Sequence, residues 1–313
     1  MVPRLADETT EPTMVKAPAV PLIAILRDHR AWMDSPSAGK RADFSGATLN
    51  EAKLAGAILS RALLLGATLL DADLSGANLV GANLDGADLQ RANLAGADLE
   101  GASLNGTQFG GAWMAGAILS GARMKNTSFR RAMLRTARLT DVAASEVSFR
   151  ETNLGGSVWN HARLYDIDFF DADLSAAHFN HVRAQHTRFN GASLLSAIFQ
   201  QAKLDHCQFP AAKLAEVSFA RAEITQGVFR DTDLRGADFR DAILRGGDFC
   251  RAILADARFG RAQMMTADFR GANLRGAREM TADQLALSVT DHTTILPSGK
   301  KGPYMKYSGA EKP

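Results

Sequence analysis

Large apolar residues recur at every fifth position from Phe44 to Leu274. Of these 47 centres, 40 are Leu or Phe, five are other large apolar residues and two are Ala. The position two residues before each centre is Ala in 33 of the 47 repeats. The three remaining positions carry mostly polar residues and Gly, and the register never shifts. The pattern therefore predicts one continuous repeat over residues 42–278.

A period of five fits neither an α-helix nor a flat strand. Steps of five rotate by about 140° around an α-helix, so the large residues would face every side. Along a strand, steps of five alternate between the two faces. A coil in which each five-residue unit forms one side and then turns keeps every centre inside. The residue two before the centre then also points inward, and the other three point to solvent.

The phenylalanines indicate how many sides a coil has. Nine of them recur at intervals of 20 residues, and a second, later series lies halfway between them. Four sides of five residues stack like residues in successive coils, which predicts buried aromatic columns with offset contacts. The predicted core ladder comprises Phe109, Phe129, Phe149, Phe169, Phe189, Phe209, Phe229, Phe249 and Phe269.

The segments outside the repeat predict caps, because the open ends of a stacked solenoid expose apolar core and unpaired backbone. Residues 18–41 are predicted to form a capping helix and linker, and residues 279–290 a second capping helix that begins with the capping box Thr281 to Gln284. Residues 1–17 are expected to be disordered and residues 291–313 to form a flexible tail. The side chains expected over the first coil are Leu22, Ile23, Leu26, Trp32 and Met33.

The A(D/N)LxG repeat, as in residues 72–76 (Ala-Asp-Leu-Ser-Gly), resembles that of the pentapeptide repeat family over residues 42–278. The resemblance implies a right-handed quadrilateral parallel β-helix, an all-β solenoid. The 47 repeats, at four to a coil, predict about twelve coils, and the flanking segments predict a short helix capping each end. The handedness follows from the resemblance alone.

Composition excludes several classes of protein. The net charge of the 313 residues is +2, so bulk charge favours neither nucleic acid nor a membrane as partner. No apolar run approaches the roughly 20 residues of a membrane helix, and no secretory pattern opens the chain. The two cysteines give no disulfide framework, and we expect a cytoplasmic protein. Cys207 is expected to point inward, and Cys250 outward as a surface thiol.

Charge is distributed unevenly along the repeat. Residues 42–122 carry 8 acidic and 3 basic residues, whereas residues 123–278 carry 17 acidic and 23 basic ones. Part of this excess forms one outward column, which predicts a surface for an anionic partner. The alternative is a solvated face neutralised by acids on neighbouring turns. The predicted interaction stripe comprises Arg123, Lys125, Arg163, Arg183 and Lys203.

The positions of four histidines suggest a metal site as one hypothesis. In a 20-residue coil His161 lies beside His181, and His186 beside His206, and imidazole suits zinc or copper. The acids that complete such sites do not converge with them, which favours solvent-facing turn residues. The sequence predicts no cofactor and no catalytic residue, because a filled rod with flat sides offers no enclosing pocket.

The function favoured by these features is a non-enzymatic scaffold that presents flat faces for protein–protein interaction, with an unidentified partner. The resemblance raises a second function, because some family members protect DNA gyrase from quinolones by imitating duplex DNA. A positively charged rod without loop insertions supports that function poorly. A third hypothesis is a polyanion or nucleic-acid binder that uses the basic stripe. A homodimer through the C-terminal end, as in some relatives, also stays open.

Overall fold

The computed structural model describes residues 22–313. The N-terminal segment 1–17, and residues 18–21 of the predicted cap, lie outside the described residues. The repeat forms a parallel β-solenoid in which each five-residue side pairs with the side 20 positions later, as in the bridges Asp43 to Leu63 and Asp73 to Asn93. These bridges run from Asp43 to Arg278, nearly twelve coils at 20 residues each. The predicted all-β solenoid class is confirmed.

Each five-residue side follows the same rule of burial and hydrogen bonding. In the side centred on Leu74, Ala72 and Leu74 are completely buried. The Leu74 amide donates to the Asn93 carbonyl of the next coil at 2.7 Å, and the Ala77 amide closes the corner by donating back to the Leu74 carbonyl at 3.0 Å. Gly76 occupies that corner with a φ of 62°, a left-handed conformation that glycine adopts without strain.

The core is built around two aromatic columns. Phe189 and Phe209 stack with ring centroids 4.8 Å apart and planes within 1° of parallel. The second column begins at Trp159, which stacks on Phe179 at 5.7 Å. The columns meet edge to face, for example where Phe209 contacts Phe219 at 6.1 Å and 79°. Such stacked and edge-to-face pairs stabilise beyond simple burial.

One side of the solenoid forms a regular sheet. Its parallel strands follow in chain order, and each pairs with the strand of the next coil. The side as a whole is called the sheet face below. The strands are β1 (Arg123–Lys125), β2 (Ala143–Ser145), β3 (Arg163–Tyr165), β4 (Arg183–Gln185), β5 (Lys203–Asp205) and β6 (Glu223–Thr225).

The corners that follow these six strands differ from ordinary corners. Among the described residues, none of the six has the turn hydrogen bond that Ala77 makes to Leu74. Four of the six have a β-branched residue where the repeat prefers Ala, and β-branched side chains favour extended backbone. At these corners the strands pair over three residues, whereas the other sides pair through a single bridge. The residues at this position are Thr127, Val147, Ile167, Thr187, Cys207 and Gly227.

The N-terminal helix α1 (Leu22–Asp34) packs on the first coils. Leu22, Ile25 and Leu26 contact the core. The prediction that Ile23 and Met33 cover the first coil is wrong, because both side chains are exposed, Ile23 at 80%. The core-facing residues are spaced three and four apart, and Ile23 falls outside the stripe that they form on the helix.

The second helix, α2 (Ala282–Ala286), does not end the solenoid. Its capping box is present: the Thr281 hydroxyl accepts from the Gln284 amide, and the Gln284 side chain accepts from the Thr281 amide. The helix replaces one side of a coil, and Gln284 Nε2 donates to the Phe259 and Ala262 carbonyls at 2.8 and 2.9 Å. The helix predicted over residues 279–290 is shorter in the structure, because Val289 pairs with Asp268 as the next side.

The segment after Asp291 continues the stack and does not leave it as a loose tail. Ile295 pairs in parallel with Asn273, and the Gly276 amide donates to the Pro297 carbonyl at 2.9 Å. Thr294 and Leu296 are buried. The Pro, Gly and Lys content that predicted flexibility is therefore outweighed by Thr294 and Leu296, which still fall on inward positions.

Candidate interaction surface

The structure brings the predicted stripe together on the sheet face. Arg123, Arg163, Arg183 and Lys203 occupy one register column, and Ala143 interrupts it. The four basic side chains lie at outward positions of their strands. Lys125 is the outward residue two positions along β1 and heads the neighbouring column. Parallel in-register pairing thus aligns the cations from coil to coil.

Charge pairing distinguishes this column from the other arginines of the C-terminal half. Most of those pair with a carboxylate, as Arg251 does with Asp231 and Arg261 with Asp241. The Arg251 guanidinium holds the pKa of the Asp231 carboxyl below its usual range. Such exposed pairs stabilise the fold little but neutralise the local surface.

Within the described part of the chain, most stripe cations have no carboxylate within ion-pair distance. The exception is Lys203, whose Nζ lies 2.9 Å from Glu223 Oε2. The alternative prediction, a solvated face neutralised by acids on neighbouring turns, therefore describes the surface around Arg251 and Asp231, but not the sheet face. Its unpaired cations are Arg123, Lys125, Arg163 and Arg183.

An apolar depression of about 520 Å³ lies in the middle of the sheet face. Ala144, Leu164 and Ala184 line it, together with the neighbouring outward side chains. Ala144 and Ala184 are the two centres at which the repeat has a small residue in place of Leu or Phe. Tyr165, half exposed, also lines the depression. The surface thus combines positive charge, a shallow apolar area and an exposed aromatic ring, the composition of a protein interface.

The histidines occupy the two borders of the sheet face. His161 and His181 stack at the preceding corner with ring centroids 4.9 Å apart. His186 and His206 lie at the following corner, 5.3 Å apart, and His206 Nδ1 is 2.8 Å from Asp205 Oδ1. The face separates the two pairs, so the four rings do not form one site.

The one group of three potential metal ligands among residues 22–313 lies elsewhere, at Asp248, Cys250 and Asp268. Both carboxylates are already engaged, Asp248 by Arg230 and Asp268 by Arg270. Two guanidinium groups at the carboxylates oppose the binding of a cation, so this cluster is poorly suited to a metal.

The two cysteines are both buried. Cys207 points inward, and its Sγ donates to the Ala184 carbonyl at 3.6 Å. The expected surface thiol at Cys250 is wrong, because this residue is only 7% exposed. Burial, with the neighbouring Asp248 and Asp268 carboxylates, raises the pKa of Cys250 to about 12, and burial raises that of Cys207 to about 12. Neither thiol is activated.

Sequence reasoning located the stripe but missed the depression and the sheet beneath it. The available signal was the clustering of β-branched residues at 127, 147, 167 and 187 with the two alanine centres at 144 and 184. These substitutions are visible as departures from the repeat. Their joint effect, a flat sheet with a shallow floor, depends on the stacking of the coils.

Comparison with known families settles the nature of the repeat. A family model described as pentapeptide repeats matches residues 42–79, 69–106, 102–141 and 242–278, and one described as a pentapeptide repeat region matches residues 182–259. The matched residues make up more than half of the chain. The chain belongs to the pentapeptide repeat family. No curated protein matches it.

Several solved structures are similar to the chain. HetL of Nostoc sp. strain PCC 7120, a pentapeptide repeat protein involved in heterocyst differentiation regulation, is 23% identical over 75% of this chain and 91% of its own, with a TM-score of 0.36. A pentapeptide repeat protein of the Arabidopsis thaliana thylakoid lumen is 25% identical over 36% and 79%, with a TM-score of 0.32. A variant of QnrB1, a plasmid-mediated fluoroquinolone resistance protein, is 20% identical over 56% and 81%, with a TM-score of 0.29.

These likenesses carry no argument about partner or activity. Among the described residues, no helix is both long and apolar enough to cross a lipid bilayer.

Proposed function

We propose that this protein is a non-enzymatic binding scaffold, and that the sheet face is the surface with which it recognises an acidic protein partner. The observation that carries the proposal is the column of unpaired cations beside the apolar depression. In a chain whose arginines mostly pair with carboxylates, a run of unpaired ones costs electrostatic repulsion along the column. An anionic partner relieves that repulsion.

A protein partner fits this surface better than a nucleic acid. Carboxylates border or lie on the face, at Asp166, Asp205 and Glu223. A phosphate backbone carries charge along its whole length and meets them, whereas a protein can place its acidic residues opposite the cations alone. The column spans four coil steps, about 19 Å at the inter-strand spacing. Nucleic acids also gain nothing from the apolar floor at Ala144 and Ala184, whereas apolar partner side chains do.

The interior supports a scaffold and not an enzyme. Side chains fill the solenoid from Phe44 to Leu274, and apart from the partly buried Leu49 the centres are buried throughout that stretch. The depressions on its sides are open, whereas catalytic sites exclude water from a concave pocket. The cysteines are held protonated by burial.

The proposal is tested by reversing the charge of the stripe in cells of the native host. The triple variant Arg163→Glu, Arg183→Glu, Lys203→Glu is compared with the control Arg135→Glu, Arg138→Glu, Arg275→Glu. The control changes the same number of exposed basic residues outside the sheet face. Like Arg163 and Arg183, and unlike Lys203, those residues lack an ion pair among the described residues.

Each tagged protein is purified at low salt and the fraction held in a complex is measured by native mass spectrometry. We expect the stripe variant to lose the complex and the control to retain it. Equal occupancy in the two variants, with both folded as judged by circular dichroism, would overturn the proposal. Loss caused equally by both would show a non-specific attraction and would overturn it too.

A further inference from the structure

We infer that the sheet face takes an α-helix with a ridge of acidic residues, laid along the solenoid axis. This inference rests on the proposed function and names the conformation of the partner. It starts from the spacing of the cations. Successive coils are separated by about 4.8 Å, the inter-strand distance, and the stacked rings of Phe189 and Phe209 show the same separation of 4.8 Å.

Two coil steps separate Arg163 from Lys203, with Arg183 between them. The three cations therefore cover about 9.6 Å along the axis. On an α-helix, acidic residues at positions i, i+4 and i+7 cover about 10.5 Å and lie on one side. On an extended strand, the residues of one side at i, i+2 and i+4 cover about 13.2 Å. The helix matches the column to about 1 Å, whereas the strand exceeds it by nearly 4 Å.

The remaining features of the face fit the same occupant. Arg123 lies two coils beyond Arg163, so the whole column matches a helix of about 13 residues at 1.5 Å per residue. Ala143 interrupts the basic column, and beside it Ala144 and Ala184 line the apolar depression. A helix about 10 Å wide that lies on the column covers this depression as well, and its residues next to the acidic ridge reach the floor and the Tyr165 ring.

Glu223 supplies an internal check on the inference. Its carboxylate forms an ion pair with Lys203, at the end of the column where the acidic ridge would begin. Glu223→Gln removes this competitor while leaving an isosteric side chain. We expect the variant to bind an acidic ridge about two- to five-fold more tightly, the range that one exposed ion pair supplies.

The test uses synthetic 15-residue peptides and fluorescence anisotropy with the full chain. The ridge peptide is a stapled helix with Glu at i, i+4 and i+7. The scrambled peptide has the same composition and staple, with the Glu residues spread around the helix. A third peptide has the ridge sequence broken by two central prolines, and a 20-base-pair DNA duplex tests the phosphate alternative.

We expect the ridge peptide to bind at least ten-fold more tightly than either peptide control, with affinity that falls as salt rises. Glu223→Gln should tighten binding, and the stripe variant Arg163→Glu, Arg183→Glu, Lys203→Glu should abolish it. The inference of a helical partner is overturned if the ridge and scrambled peptides bind equally. It is also overturned if the broken peptide or the duplex binds more tightly than the ridge peptide. Absence of binding by the ridge peptide also overturns it. If the stripe variant still loses its cellular complex in that case, the scaffold proposal stands and only the helical partner is excluded.

Discussion

His29 of α1 accepts a hydrogen bond at Nδ1 from the backbone amide of Ala42, the first inward residue of the solenoid, at 3.1 Å. The imidazole is completely buried and stacks on Trp32 with centroids 5.6 Å apart. An acceptor role for Nδ1 requires the neutral ring, because both nitrogens of the imidazolium are donors. The contact therefore fixes the N-terminal helix to the first coil only while His29 is unprotonated.

A fall in pH is expected to weaken the packing of α1 on the first coil. Burial lowers the pKa of His29 from its ordinary value of 6.5, Arg41 lowers it further, and the Ser60 backbone opposes them. Because the folded pKa lies below the unfolded one, the unfolded segment binds the proton first. The stabilisation is complete above about pH 6.5 and is lost as pH falls below that value towards the folded pKa. Hydrogen exchange of the α1 amides at pH 7.5 and pH 5, corrected for intrinsic rates, measures the change.

His29→Phe is the matched variant for this prediction. Phe keeps a ring against Trp32 but leaves the Ala42 amide unsatisfied, so at pH 7.5 the helix should open more easily by about 1–3 kcal/mol. The difference from the parent should shrink at pH 5. Equal protection of α1 in the parent at both pH values would contradict the prediction.

Ring stacking is expected to contribute measurably to stability. Phe209 lies between Phe189 and Phe229, with centroids 4.8 and 4.7 Å away, and contacts Phe219 edge to face. Phe209→Leu should therefore lower the free energy of unfolding by at least about 1.5 kcal/mol more than Phe44→Leu, since each ring pair supplies about 0.5–1.5 kcal/mol. Phe44 is buried without an aromatic contact among the described residues. Urea unfolding measures both, and equal losses would show that the ladder acts through burial alone.

Both cysteines are expected to resist alkylation in the native protein. The raised pKa of Cys207 and Cys250, about 12 for each, leaves almost no thiolate at pH 8. Iodoacetamide labelling followed by intact-mass measurement should proceed more than ten-fold faster after unfolding in guanidinium. Rapid modification of one thiol in the folded protein, at the rate of a free cysteine, would contradict the prediction.

Substitution by glycine at a left-handed corner is expected not to lower the stability of the protein. Ala176 occupies a corner with a φ of 55°, where its Cβ is strained by about 1 kcal/mol. Ala176→Gly removes that strain, which offsets the entropic loss of about 0.5–1 kcal/mol that glycine brings. The variant should be at least as stable as the parent, whereas Ala255→Gly, made outside the left-handed region, should be less stable. Thermal unfolding distinguishes them, and equal destabilisation would refute the corner argument.

Much of this architecture could be predicted from the sequence, because a period of five and a recurrence of 20 leave few ways to bury Phe109 and its successors. The capping box at Thr281 could also be predicted from the sequence. The placement of α2 within a coil was not, since it depends on Gln284 reaching the Phe259 and Ala262 carbonyls. The burial of Cys250 likewise results from neighbours in adjacent coils, which single-position reasoning does not include.

The stripe was visible as a column of Arg and Lys at 20-residue spacing, but its unpaired state was not. Whether a cation such as Arg183 meets a carboxylate depends on which corner each acid occupies in the adjacent coil. Arg251 meets Asp231 because both lie at the same corner position, 20 residues apart. Arg163 and Arg183 have like charges as their coil-to-coil neighbours.

The central claim, that the sheet face is the recognition surface, is tested most directly by photo-cross-linking in cells of the native host. A benzophenone amino acid is placed at one exposed position on each side of the same coils. Gln185 represents the sheet face, and the three controls are His178, Gln208 and Lys213. We expect a discrete covalent adduct with an acidic protein from Gln185 alone, abolished by Arg163→Glu, Arg183→Glu, Lys203→Glu. The same adduct from another side, with none from Gln185, would contradict the account.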